Sequence, residues 1–156
     1  MKNKLIMQFV LLILTHSSLW SQDVKKYTVN ESEFYSGYYL AVEPADTIEG
    51  VLILIAGFGQ WPEDVFPETK LEQVAYEHNL LTVAFAAGNK LYADTVTRYN
   101  LSLVVKDVLT RYNADPTKFV IGGFSAGGMI ALRYVELCNE FPDRYPIQPK
   151  GVFTVD

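Results

Sequence analysis

Cysteine and histidine are scarce in this chain. Cys138 is the only cysteine, and His16 and His78 are the only histidines among 156 residues. A single cysteine excludes an intramolecular disulfide in any compartment. No His/Cys/Asp cluster has metal-ligand spacing, so no metal is expected. Gly57-Phe58-Gly59 lacks the third glycine of the dinucleotide pattern, so no nucleotide cofactor is expected either. The chain has no Lys/Arg-rich run, and its formal net charge is −5. An acidic chain has no electrostatic reason to seek nucleic acid or an anionic membrane surface. One further absence matters later: no histidine follows Ser125.

The first 21 residues have the layout of a leader. Lys2 and Lys4 are a short basic region, Leu5 to Leu14 is apolar except for Gln8, and a more polar stretch ends at Ser21. This is the pattern of a secretory signal peptide, with cleavage expected between Ser21 and Gln22. The apolar run is shorter than the ~20 residues a spanning helix needs, which disfavours a membrane anchor. Removing Lys2 and Lys4, with no acidic residue, takes the formal charge from −5 to −7. The expectation is a secreted or periplasmic protein with no membrane attachment after cleavage, its domain running from residue 22 to 156.

About half of the residues are hydrophobic, enough for one packed domain. Val24 to Val29 and Tyr38 to Val42 read as short strands, separated by a polar turn around Ser32 to Gly37. Val51 to Ile55 is continuously apolar and rich in β-branched residues, which suits a strand covered on both faces. Pro67 to Asn79 reads as a helix, with Pro67 in its first turn and Glu68 complementing the dipole. Leu80 to Phe85 is the next strand. Asp94 to Tyr112 is a long amphipathic helix, with Leu101, Val104, Val105, Val108 and Tyr112 spaced by three and four. Phe119 to Ile121 is a strand, Ala126 to Asn139 a helix stopped by Pro142, and Gly151 to Val155 a final strand. The order predicts an α/β fold, a mostly parallel sheet with helices on both faces. Cys138 falls within the last helix, where a buried structural thiol is expected; a catalytic thiol would need a partnering base.

Gly123-Phe124-Ser125-Ala126-Gly127 joins an apolar strand to a helix start. That is the local chemistry of a serine nucleophile on a sharp strand-to-helix turn. Glycines on either side let strand and helix approach closely. The helix N-terminus offers backbone N–H groups to a developing anion, and Ala126 N–H is the expected first oxyanion donor. The pentapeptide alone also fits an ordinary turn with a helix-capping serine. Its place after three consecutive buried strands favours the nucleophile.

With these residues the sequence resembles the α/β-hydrolase superfamily, and most closely secreted serine esterases of the polyhydroxybutyrate-depolymerase and feruloyl-esterase type. The finer resemblance rests on Tyr112 to Gly128, in which Asp115-Pro116 opens the turn into the nucleophile strand. It implies an acyl-enzyme mechanism at Ser125 and a small-molecule or polymeric ester as substrate. It also implies Phe58 N–H as second oxyanion donor, because Ala56-Gly57-Phe58 stands where the family often has His-Gly-x. A plain glycine turn ending the strand is the competing reading of that segment. Trp61 and Phe66 follow in the same loop, to line a pocket or to cover the loop's own small core.

The family order places an acid and then a histidine after the nucleophile. This chain ends at its sixth strand, so the expected architecture is an α/β-hydrolase-type sheet truncated after that strand. Asp156 stands where the less common arrangement puts the acid, although a loop residue beside the site is the favoured reading. His78, in the last turn of its helix, has a sufficient reason in the dipole, and the topology puts it opposite Ser125. The expectation is an N-terminal portion of a longer hydrolase, inactive as these residues alone. The alternatives are a non-catalytic pseudo-hydrolase that binds a ligand in the same cleft, and a serine peptidase of the same fold.

Overall fold

Six strands form one sheet in the order β1-β2-β4-β3-β5-β6, in a computed structural model that describes residues 23–29 and 35–156. The expected leader over residues 1–21, and Ser32 of the first turn, lie outside the described residues. The strands are β1 (Val24–Thr28), β2 (Tyr38–Val42), β3 (Gly50–Ile55), β4 (Leu80–Phe85), β5 (Phe119–Phe124) and β6 (Gly151–Val155). The first two are antiparallel to their neighbours. β4, β3, β5 and β6 run parallel.

β3 lies at the centre and is buried along its whole length, as its unbroken apolar run requires. Its side chains alternate between two layers. Val51, Ile53 and Ile55 face a cluster that includes Leu101, Val104, Val105 and Val108 of α2 (Thr95–Tyr112). Ile130, Tyr134 and Leu137 of α3 (Ala126–Glu140) join the same layer. Leu52 and Leu54 face the other layer, with Ala75 of α1 (Leu71–Glu77), Val65 and Phe66. Helices therefore cover both faces, in the arrangement expected of parallel strands joined by crossovers.

Two boundaries differ from the sequence reading by three residues or more. Pro67 does not open α1: residues 65–68 are turns after a short 3-10 segment, Pro62–Asp64, and the helix begins at Leu71. The Thr69 hydroxyl accepts the Leu71 N–H at 3.1 Å, a local turn that competes with earlier helix formation. β5 continues past Ile121 to Phe124, because Gly122 and Gly123 pair with Phe153 and Thr154 of β6. β6 pairs only with β5 among the described residues.

Candidate active site

The helices leave the central strands on opposite faces. The β3–β4 connection carries α1 on one face, and the β4–β5 connection crosses back over β3 with α2 on the other. The switch falls between β3 and β5. In open parallel sheets a crevice forms outside the carboxyl ends of the strands at that point. Ile55 pairs with Gly123 at the carboxyl ends of β3 and β5. The segments that follow, Ala56-Gly57-Phe58 and Phe124-Ser125-Ala126, therefore emerge side by side.

Ser125 sits between β5 and α3 with φ 50° and ψ −117°. A positive φ in a non-glycine residue costs on the order of 1–3 kcal/mol and persists only where the surroundings over-determine it. Here they do. The Ser125 N–H donates to the Val155 carbonyl at 2.7 Å, and its carbonyl accepts the Gly128 N–H at 3.0 Å. A Cβ at Gly123 would lie 2.2 Å from the Gly127 carbonyl carbon, and one at Gly127 would lie 2.3 Å from the Ile55 carbonyl oxygen. Strand, turn and helix are in backbone contact, and the serine side chain is left exposed with no capping hydrogen bond. Serine as a helix cap, the bland reading of the pentapeptide, does not describe this geometry.

Beside it, the Gly57 loop is fastened at several points. Ala56 N–H donates to the Phe85 carbonyl at 2.8 Å, and Gly59 N–H to the Gly88 carbonyl at 3.0 Å. Gly57 N–H donates to Gln60 Oε1 at 2.6 Å, and Gln60 Nε2 donates to Glu68 Oε1 at 2.5 Å. The N–H groups of Phe58 and Ala126 have no hydrogen-bond partner among the described residues. Phe58 is 52% exposed. Trp61 is also exposed and stacks on Tyr35, ring centroids 4.9 Å apart, whereas Phe66 packs into the layer under the loop. Of the two aromatics of this loop, Phe66 covers the core beneath it and Trp61 packs against Tyr35 at the surface.

The sequence reading missed Gln60 altogether and took Glu68 for a helix-dipole residue. The available signal was weak: an amide side chain three residues after a glycine turn.

His78 caps the carboxyl end of α1 and precedes the start of β4. It lies at the edge of the sheet opposite Ser125 and is the only histidine among the described residues. Asp156 is exposed and follows Val155, whose carbonyl receives the Ser125 N–H, so it stands on the serine's edge. Cys138 is buried in α3, and burial pushes its thiol up to about 12. Among the described residues no group of three His, Cys, Asp or Glu could hold a metal ion, and no helix is long and apolar enough to cross a membrane.

A six-stranded, mostly parallel sheet with flanking helices and a strand–serine turn–helix after β5 is an α/β-hydrolase fold. Particular solved structures agree. FphF, a fluorophosphonate-binding serine hydrolase from Staphylococcus aureus, superposes with a TM-score of 0.61 at 16% identity over 80% of this chain. BioJ, a Francisella virulence factor, gives 0.62 at 13% identity over 97%. An acetyl xylan esterase from Aspergillus awamori gives 0.59 at 13% over 74%. The chain spans about half the length of each: 54%, 49% and 48% respectively. No protein-family model matches the sequence, and no curated protein matches it.

Proposed function

We propose that this chain carries the nucleophile half of a serine esterase of the secreted type resembled by its sequence. Ser125 attacks the ester carbonyl and forms an acyl-enzyme. The N–H groups of Ala126 and Phe58 stabilise the oxyanion, the ester C–O bond breaks and the alcohol leaves, and water then hydrolyses the acyl-enzyme; the substrate is a small-molecule or polymeric ester. The observation that carries the reading is the backbone of Ser125: a positive-φ serine, exposed at the carboxyl end of β5 near two N–H groups that have no partner among the described residues. Preorganised donors of this kind are the largest contribution to catalysis in many acyl transfers.

A serine hydroxyl also needs a base within hydrogen-bond reach. None of the described histidines is beside Ser125. These residues alone are therefore expected to hydrolyse esters only weakly. The alternative reading is a pseudo-hydrolase that binds a ligand at this edge. The structural neighbours include a fluorophosphonate-binding serine hydrolase and an acetyl xylan esterase, which supports ester chemistry at this site. The leader pattern supports export, which N-terminal sequencing of secreted protein starting at Gln22 would establish.

The test is hydrolysis of p-nitrophenyl esters by the protein expressed from its natural reading frame, against a Ser125→Ala variant. The expected loss on substitution is at least about a thousandfold in kcat, as for removal of a serine nucleophile elsewhere. Ligand binding at this edge with no Ser125-dependent turnover would select the pseudo-hydrolase. Cleavage of peptide anilides in preference to esters would select a peptidase.

A further inference from the structure

The donor assigned to Phe58 belongs to a loop with alanine at position 56, so its orientation needs another origin. We infer that Gln60, held by Glu68, is the positioning residue for the Phe58 N–H; this rests on the esterase reading above.

Gln60 holds Gly57 at both of its polar atoms. Its Oε1 accepts the Gly57 N–H at 2.6 Å, and its own N–H donates to the Gly57 carbonyl at 3.3 Å. That carbonyl and the Phe58 N–H belong to one planar trans peptide, so they point in opposite directions. The backbone turn bond draws the carbonyl toward position 60 and turns the Phe58 N–H away from it, and the side-chain Oε1, by holding the Gly57 N–H, fixes the other peptide of Gly57 so that this orientation is kept. Glu68 settles which way the amide faces. An ionised carboxylate only accepts hydrogen bonds, so Gln60 turns Nε2 to Glu68 and Oε1 to Gly57. A Cβ at position 57 would come within 2.6 Å of Oε1, so glycine is what admits the amide. The outer side of the loop is held by the Gly59–Gly88 bond.

The experiment uses the protein from its natural reading frame, with Gln60→Leu, Gln60→Glu, Glu68→Ala and Glu68→Gln variants. Circular dichroism and thermal melting give the folded fraction, and all rates are taken per folded molecule. Gln60→Leu is expected to lower kcat about tenfold to a hundredfold, the effect of a displacement near 1 Å at a reacting centre. KM should stay within about twofold, the signature of an interaction made only in the transition state. Affinity for a boronic acid, whose tetrahedral adduct uses the same donors, should fall in parallel with kcat. Gln60→Glu should lose comparably, because its carboxylate would face that of Glu68. Glu68→Ala should fall between native and Gln60→Leu, and Glu68→Gln should restore near-native kcat, since its amide oxygen still accepts from Gln60. Folded Gln60→Leu and Glu68→Ala proteins with kcat and boronate affinity within about twofold of native, well short of the loss from removing an oxyanion donor, would overturn the clamp while Ser125 dependence stands. Hydrolysis that survives Ser125→Ala overturns the esterase reading and the clamp with it.

Discussion

At the scale of the residue, Ser125 is held by contacts that only glycine permits. Gly127 carries no Cβ, and the nearest atoms to one would be the carbonyl oxygens of Ile55 and Ala56, at 2.3 and 2.6 Å. Those atoms are backbone at the end of the central strand and just beyond it, and cannot turn aside. Gly127→Ala should therefore destabilise the fold by about 1–3 kcal/mol or more, the usual cost of overpacking, seen as a lower urea midpoint. It should also depress ester hydrolysis per folded molecule, since relief of the clash moves the serine turn. Cys138 gives a contrasting prediction. Its buried, high-pKa thiol should react with a disulfide reagent only as the protein unfolds, because the thiolate is the reactive form. Labelling in native buffer at the rate of a free thiol would contradict its assignment to the core.

The glycines also mark a limit of sequence reading. Gly122-Gly123 looks like punctuation, and the strand was expected to end at Ile121. It does not, because the Phe153 ring lies over Gly122 and α3 packs on Gly123. The reason for those glycines is a neighbour far away in the chain. The identity of Ser125 as a turn residue was legible, because glycine, serine and apolar strand are consecutive there. Gln60 was not, because its meaning depends on Glu68 and on the geometry of Gly57.

At the scale of the element, α2 shows how its start is enforced. Asp94 caps the helix, accepting the Thr97 N–H at 2.8 Å, and pairs with Lys90 at 2.6 Å. Burial opposes its ionisation, but the bonds from Lys90 and Thr97 outweigh burial and hold its pKa at about 2. That is below the value of about 3.9 for an unperturbed aspartate. The folded state therefore gains stability from this carboxylate above pH ~4 and loses it as pH falls toward 2. Urea unfolding between pH 5 and 2 should show a steeper loss for the native protein than for Asp94→Asn, which keeps an acceptor but no titration. Asp94→Ala should cost about 1 kcal/mol at neutral pH. The helix was legible from its periodic apolar pattern, but the sequence reading counts Asp94 as its first residue, which the structure makes its cap. The start of α1 was not legible, because Thr69 offers Leu71 a turn that Pro67 and Glu68 do not announce.

At the scale of the whole molecule, the position of the site follows from connectivity. Four parallel strands place all their carboxyl ends on one edge, and the change of face between β3 and β5 falls on that edge, where ligands bind in open sheets of this kind. The strand succession in the sequence carried most of this. The register between β3 and β5, which sets the Phe58 segment beside Ser125, required the structure. The same topology removes His78 to the far edge. His78→Ala should leave ester hydrolysis within about twofold of native, the range of a surface substitution remote from the site; a large loss would contradict the strand order itself.

Ser125 is the proposed nucleophile. The most direct measurement is to treat the protein from its natural reading frame with a fluorophosphonate and locate the adduct by peptide mass spectrometry. One adduct is expected, on Ser125, with labelling abolished by Ser125→Ala. An adduct on another residue, or an unlabelled Ser125 in a protein that still hydrolyses esters, would contradict that role.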